Sequence, residues 1–398
     1  MFAENDRVNT SAAIADSPRR RVVLLGATGS IGRQCCDVIE RFPERFQLVG
    51  AVAGSDVAGL TGVVDRHGVQ RAALASPPLG EKLPPGMGSG QDAVCEIAAM
   101  ECDVVCVAIP GAAALAPTLA ALDAGRTIAT ATKEVLVMAG ELVKARAAAS
   151  GARILPVDSE HSALWQCLRG ERADTVRRLV LTASGGPFRQ RDAATFASIT
   201  VEEALRHPTW NMGPKVTIDS ATMMNKGLEI IEAHFLFDVP YASIGVVIHP
   251  RSIVHSYVEF IDGAVIAQLG VPDMRVPIAL AIADGTRLPG IAVPVQLTGA
   301  ASLEFFDVDA RRFPAVALAR SAGETGGVAP AALNAANEVA VGAFLERRIG
   351  YDAIVPVVAE TVRAAAVVAS PSLADVLDAD AWARRFATER LGTVGMPA

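Results

Sequence analysis

The chain has 398 residues, of which 51% are apolar and 20% charged, with a formal net charge of −7. That balance describes a folded protein of two or three domains and excludes a disordered chain. The acidic excess also argues against a general nucleic-acid or anionic-membrane surface.

Residues 1–20, "MFAENDRVNTSAAIADSPRR", lack an apolar segment and contain acidic residues, so they read as a flexible tail and not a targeting sequence. From Arg21 the pattern alternates β-branched runs with helical stretches. "RVVLLG" leads into a helix over about 31–42, "FQLVGAVAG" is the next strand, and "DVVCVAIP", "RTIATAT" and "RILPVD" follow between alanine-rich segments. This pattern predicts a Rossmann-like, doubly wound parallel sheet over 21–157. The uncharged run over 104–122 is interrupted by Pro110, Gly111 and Pro117, so it reads as strand, turn and helix and not as a membrane span. Beyond 157, "VRRLVLTAS", "IGVVIHP", "SIVHSYVEF" and "AVIAQLG" predict a second sheet, with a hairpin across Asp262 and Gly263, in an α+β unit over 158–290. Residues 291–311 read as a linker. Residues 312–398 read as a C-terminal α-helical bundle, with "PAALNAANEVAVGAFLERR" the clearest amphipathic segment. The six cysteines show no metal-type spacing, and Cys102 and Cys106 lie in an apolar strand, which points to buried thiols in a reducing compartment.

Three stretches carry chemistry. "VVLLGATGSIGRQ" places Gly26, Gly29 and Gly32 between a strand and a helix, where backbone N–H groups approach a dinucleotide pyrophosphate. Ribose selectivity is then set after the second strand, at "AGSDV". The stretch "PVDSEH" places Asp158 and Glu160 one residue apart at the end of the last strand of the sheet. On extended backbone they face the same side and call for a shared cation, a hard one such as Mg²⁺ or Mn²⁺ given the oxygen-only donors. In "KVTIDSATMMNKGLEIIEAHFLF", a strand-like start precedes Ser220, Thr222, Asn225 and Lys226 at the head of an amphipathic helix from about Gly227. Those hydroxyl, amide and ammonium groups suit a phosphate. Glu229 is the third carboxylate for the cation, with Glu232 a rival on the same face and one of the two expected to be solvated. Met223 and Met224 read as packing. Between these stretches, glycines 185, 186 and 213 bracket a loop over about 184–214 that holds His207, Trp210 and Met212, a candidate lid.

These segments, with "SGGPFR", "HPTWNMG", "IHPRSIVHS", "QLGVPDMR" and "ALNAANE" in order along the chain, resemble the 1-deoxy-D-xylulose 5-phosphate reductoisomerase family. The resemblance implies NADPH, a divalent metal, a phosphorylated ketose substrate, a homodimer and a V-shaped subunit, and the interrupted apolar run and the tail already point to a cytoplasmic protein. It implies Asp158, Glu160 and Glu229 as metal ligands. Ser184, Ser220, Asn225 and Lys226 would hold the substrate phosphate, with His207 closing over it. Lys133, Ser159 and Glu160 would meet the reacting end, Lys133 and Glu160 as catalytic residues, with Trp210 and Met212 as the lid. Thr28, Gly29, Ser30, Ile31, Gly54, Ser55, Asp56, Thr132, Glu134 and Gly213 would touch the cofactor. Thr132 stands where the family usually has Asn, and Ser55-Asp56 where it usually has Lys-Asn. Competing readings are a dehydrogenase of the homoserine or semialdehyde type and a non-catalytic cofactor sensor.

Overall fold

The structure, a computed structural model, describes residues 18–210, 212–298 and 302–392. Most of the expected tail, residues 1–17, therefore lies outside the described residues.

The first sheet is parallel throughout, in the order β4-β3-β2-β1-β5-β6-β7. Its strands are β1 (Arg20–Leu25), β2 (Phe46–Ala53), β3 (Arg71–Leu74), β4 (Met87–Ser89), β5 (Val104–Val107), β6 (Ile128–Thr130) and β7 (Ile154–Pro156). Helices α1 (Ser30–Arg41), α2 (Val57–His67), α3 (Gly90–Ala99), α4 (Leu115–Asp123) and α5 (Lys133–Ser150) connect them. Val22 to Leu25 are fully buried, as a central parallel strand covered on both faces requires. The outer strands β3 and β4 were not legible in sequence: "RAAL" and "MGS" contain no β-branched residue.

After β7 come α6 (Ser159–Cys167), β8 (Val176–Ala183), α7 (Val201–Ala204), α8 (Pro214–Thr222) and α9 (Met224–Phe237). Strands β9 (Ile244–Ile248), β10 (Val254–Phe260) and β11 (Val265–Leu269) then complete a second sheet in the order β11-β10-β8-β9. The β10–β11 hairpin is antiparallel, as its Asp-Gly turn indicates. Helix α10 (Arg275–Ile282) returns to the first sheet, where Ile278 and Ile282 share a core with Val22, Leu24 and Val38. The segment read as a linker makes a two-way backbone bridge between Phe306 and Ile248, at 2.8 and 2.9 Å, beside β9.

Helices α11 (Ala315–Thr325), α12 (Ala329–Leu345), α13 (Ile354–Ala364) and α14 (Leu373–Leu391) end the described chain. Helix α12 reads as amphipathic, yet every residue from Ala329 to Asn337 is buried. It is the central helix of the bundle, so its polar residues are internal ties and do not form a solvated face. All six cysteines are free thiols, and Cys102 and Cys106 are buried. Among the described residues no helix is long and apolar enough to cross a membrane.

Candidate active site

The strand order of the first sheet reverses between β1 and β5, and the glycine turn follows β1 at that switch point. Gly26 has φ +95°, and a Cβ there would lie 2.4 Å from the Ala108 carbonyl oxygen, so only glycine lets the turn form against the β5 loop. Gly29 caps α1 without any side-chain hydrogen bond, leaving the first-turn N–H groups open to a ligand. Ser30 and Ile31 line a cavity of about 190 Å³ whose other walls come from α5, α6, β8, β10, α8 and α9.

Asp158, Glu160 and Glu229 converge on this cavity with ligand oxygens within 4.8 Å of one another. They do not converge as two residues of one strand. The chain turns at Asp158 (φ −53°, ψ 133°), which sits just before the first residue of α6, and Glu160 lies in that helix's first turn. Two lysines run between the carboxylates. The Lys133 ammonium stands 2.5 Å from Asp158 Oδ2 and 3.0 Å from Glu229 Oε1, and donates to Asn225 Oδ1 at 2.9 Å. The Lys226 ammonium reaches Glu160 Oε1 at 3.0 Å and also contacts Glu229 Oε2. Burial and the nearby Glu229 carboxylate push Glu160 up to about 7, against the opposing pull of Lys226. Ser159 donates to Glu160 Oε2 at 2.5 Å.

Glu232, offered as the alternative to Glu229, faces away from the cavity. Both glutamates are fully buried, so neither is the solvated one expected. Glu232 pairs with His161 Nδ1 at 3.3 Å, and His161 Nε2 donates to the Glu229 carbonyl at 2.9 Å. Burial lowers the His161 imidazole, but the Glu232 and Asp158 carboxylates more than offset this and raise it to about 9. This pair braces Glu229 from behind.

A cluster of hydroxyl groups lines the same cavity. Gly186 (φ +66°) makes the turn after β8, and a Cβ there would lie 2.8 Å from the Ser220 carbonyl oxygen, so glycine brings Ser184 beside α8. His207 Nε2 lies between Ser184 Oγ (3.0 Å) and Ser220 Oγ (3.1 Å). Its Nδ1 accepts from the Thr209 and Trp210 backbone N–H groups at 3.2 and 2.9 Å, which places the proton on Nε2. Burial pushes this imidazole down to about 4, so it is neutral. Ser220 lies in the last turn of a helix and not after the strand-like run expected: Pro214 at the first turn starts α8 despite four β-branched residues. Met223, between α8 and α9, holds the left-handed conformation (φ 64°), a strain of about 1–3 kcal/mol that turns Asn225 and Lys226 into the cavity.

Trp210, Met212 and Gly213 also line the cavity, with the Trp210 ring 5.9 Å from His255. His255, Ser252 and Met274 line the cavity as well, and nothing in the sequence marks them for it. Their motifs "HPRSIVHS" and "GVPDMR" were visible, but a strand pattern does not reveal which face meets a cavity.

The remaining cofactor candidates divide. Thr28 is half-buried, and its carbonyl accepts from the Arg33 Nε–H at 2.8 Å. Gly54, Ser55 and Asp56 are exposed after β2, where Asp56 caps α2 by accepting from Gly59 N–H at 2.8 Å. Arg66 pairs with Glu40 at 3.5 Å, and Arg71 lies beside Gly50, upstream of Asp56. Thr132 and Glu134 are off the cavity wall. Thr132 is buried and donates to the Ile109 carbonyl at 2.7 Å. Glu134 pairs with Lys215 at 2.8 Å, Lys215 pairs with Asp219 at 2.9 Å, and Asn337 of α12 donates to Asp219 at 2.7 Å.

Family profiles described as 1-deoxy-D-xylulose 5-phosphate reductoisomerase match residues 22–140, and those of its C-terminal domains match 154–237 and 269–386. The chain is 48% identical over 373 residues to the 1-deoxy-D-xylulose 5-phosphate reductoisomerase of Chlorobium chlorochromatii, covering 92% of this chain and 98% of that protein. It is 47% identical over 383 residues to that of Heliobacterium modesticaldum, covering 94% and 98%. The solved enzyme from Zymomonas mobilis in complex with NADPH superposes with a TM-score of 0.86 at 41% identity, covering 94% of this chain and 100% of the other. A reductoisomerase structure in complex with NADPH, fosmidomycin and magnesium superposes at 0.87 with 37% identity, covering 94% and 98%. With its motifs in order along one cavity and relatives this similar over nearly its full length, the chain belongs to the 1-deoxy-D-xylulose 5-phosphate reductoisomerase family.

Proposed function

We propose that this chain converts 1-deoxy-D-xylulose 5-phosphate to 2-C-methyl-D-erythritol 4-phosphate by a metal-dependent rearrangement and an NADPH-dependent reduction, in isoprenoid precursor synthesis. One observation carries the reading: three carboxylates, two lysines, a hydroxyl and imidazole cluster and the dinucleotide turn share one cavity. A simple dehydrogenase needs neither the carboxylate triad nor the phosphate cluster.

Asp158, Glu160 and Glu229 suit a hard divalent cation, because all their donors are oxygens and they converge within one ion's reach. The open first turn of α1 suits the NADPH pyrophosphate, with Gly54, Ser55 and Asp56 at the adenosine end. When bound, the cation polarises the ketone and neighbouring hydroxyl oxygens, and NADPH supplies the hydride. Glu160, backed by Ser159, takes the hydroxyl proton as the carbon–carbon bond migrates and returns a proton to the new alkoxide. Lys133 fixes Asp158 and Glu229 and faces the reacting end. Ser184, Ser220, Asn225 and Lys226 hold the phosphate. His207 donates its Nε2–H there while its Nδ1 anchors the loop of Trp210 and Met212, which excludes water.

The division into a nucleotide unit (21–157), a catalytic unit (158–290) with its lid (184–214), a linker and a helical unit (312–398) is part of this reading, with α10 returning to the first unit. A homodimer fits the exposed apolar edge strand β11 (Val265, Ile266) and the exposed Phe305 and Phe306 beside the second sheet. Six free thiols fit a cytoplasmic enzyme. The test is NADPH oxidation with 1-deoxy-D-xylulose 5-phosphate in the presence and absence of Mg²⁺ or Mn²⁺, with the product's carbon skeleton identified. A product with an unbranched skeleton would refute the rearrangement.

A further inference from the structure

The lysines of the carboxylate cluster are buried, Lys133 at 8% and Lys226 at 3% exposure, and each contacts two of the three acids. With all three acids ionised, as binding a cation requires, three carboxylates against two ammonium groups leave the cluster one charge from neutral. A divalent cation added with both lysines in place overshoots to net positive. It must also share Glu160 and Glu229 with the Lys226 ammonium, which sits directly on both. Like charges crowded into a buried site repel strongly, so one lysine has to give way.

Lys133 is the worse candidate to leave, since it is tied to Asp158, Glu229 and Asn225 together. Lys226 has a second place to go. It opens α9, and the same cavity contains Ser184, His207 and Ser220, hydrogen-bonded to one another through a neutral imidazole. That cluster offers donors but no positive charge, so an anion bound there lacks a counter-ion until Lys226 turns toward it.

We propose that Lys226 is exchanged between two partners. It neutralises the metal-binding carboxylates in the free protein and moves to the phosphate monoester of the bound substrate, so that phosphate and divalent cation bind cooperatively. With Lys226 on the phosphate, the cation, Lys133 and three carboxylates balance to zero. Coupling of this kind is reciprocal: each ligand tightens the other by the same factor. The inference rests on the reading of Lys226 as a phosphate ligand.

The experiment is a titration of the full chain with Mn²⁺, followed by electron paramagnetic resonance, with and without saturating methyl phosphate. In the wild-type protein methyl phosphate is expected to tighten Mn²⁺ binding at least fivefold. In Lys226→Met, Mn²⁺ alone should bind at least tenfold tighter than to wild type, and methyl phosphate should no longer change it. Lys226→Gln, which keeps hydrogen bonding to Glu160 and Glu229 without the charge, should behave the same way. No mutual effect in the wild-type protein overturns the proposal without recourse to either variant. Methyl phosphate binding measured without metal separates the two ideas. If it weakens in the variants while Mn²⁺ affinity is unchanged, Lys226 binds phosphate but no exchange occurs. If it does not weaken, the phosphate assignment itself fails.

Discussion

Replacing Asp56 by Asn changes one charge at the position proposed for the adenosine end of the cofactor and little else. Asp56 caps α2 through its bond from Gly59 N–H, and Asn serves as an N-cap about equally well, so the helix should keep its start and its stability. Asp56 is exposed, and its field acts through water. A 2′-phosphate carries a charge of about −1.5 to −2, and at ~5.5 Å in bulk dielectric a carboxylate repels it by about 1–1.5 kcal/mol. No basic side chain among the described residues pairs with Asp56: Arg66 is committed to Glu40, and Arg71 opens β3 beside Gly50 of β2. A carboxylate at this position also accepts from the ribose 2′-hydroxyl of NADH. The wild-type protein should therefore prefer NADPH only weakly, and Asp56→Asn should raise the NADPH-to-NADH ratio of kcat/KM by about fivefold to tenfold at low salt. The gain should shrink as salt screens it. Steady-state kinetics with both cofactors on both proteins is the assay. An unchanged ratio would refute the reasoning and place the carboxylate away from the ribose.

Glu229→Gln should abolish most turnover and Mn²⁺ binding while leaving NADPH binding intact, because the dinucleotide turn is built from a different segment; near-normal activity would move the metal role to Glu232. Lys215→Met leaves Glu134 and Asp219 buried without their cation and should cost about 3–5 kcal/mol in a denaturant melt. Lys215→Arg should recover part of that loss, and a Met variant as stable as wild type would show the pairing to be idle. His207 and His255 are both pushed down to about 4, chiefly by burial. Their unfolded forms take up a proton below about 6.5 while the folded forms do not. The stability they contribute is present above pH 6.5 and falls as pH drops from 6.5 toward 4. Thermal melts from pH 7.5 to 4.5 should show a shallower decline for His255→Gln, and an identical slope would sink the assignment.

The sequence made the chemistry more legible than the geometry that assembles it. The glycine turn was readable because a strand, a tight turn and a helix in succession leave few alternatives, and Gly26 and Gly32 occupy positions where a side chain would strike backbone. Asp158 and Glu160 come together, but not for the reason the sequence suggests. Extended backbone would put them on one face, but their oxygens meet because the chain turns into a helix at Asp158. The "KVTID" run misled because propensity is local, whereas Pro214 and burial of Ile218 and Asp219 against the helical core decide for helix. Helix α10 went unread because its return to the first sheet is a tertiary fact. "ALNAANE" was visible as a motif without a task. In the structure Asn337 ties α12 to Asp219, and Glu338 accepts from the Ala112 backbone N–H at 3.3 Å and pairs with Arg384 at 2.6 Å.

The reaction itself is decisive. Purified chain stripped of metal, given NADPH and 1-deoxy-D-xylulose 5-phosphate, should show negligible NADPH oxidation until Mg²⁺ or Mn²⁺ is added. It should then form branched 2-C-methyl-D-erythritol 4-phosphate in one-to-one proportion to the NADPH consumed. Metal-independent oxidation of NADPH, or a reduced product with the substrate's unbranched skeleton, would contradict it.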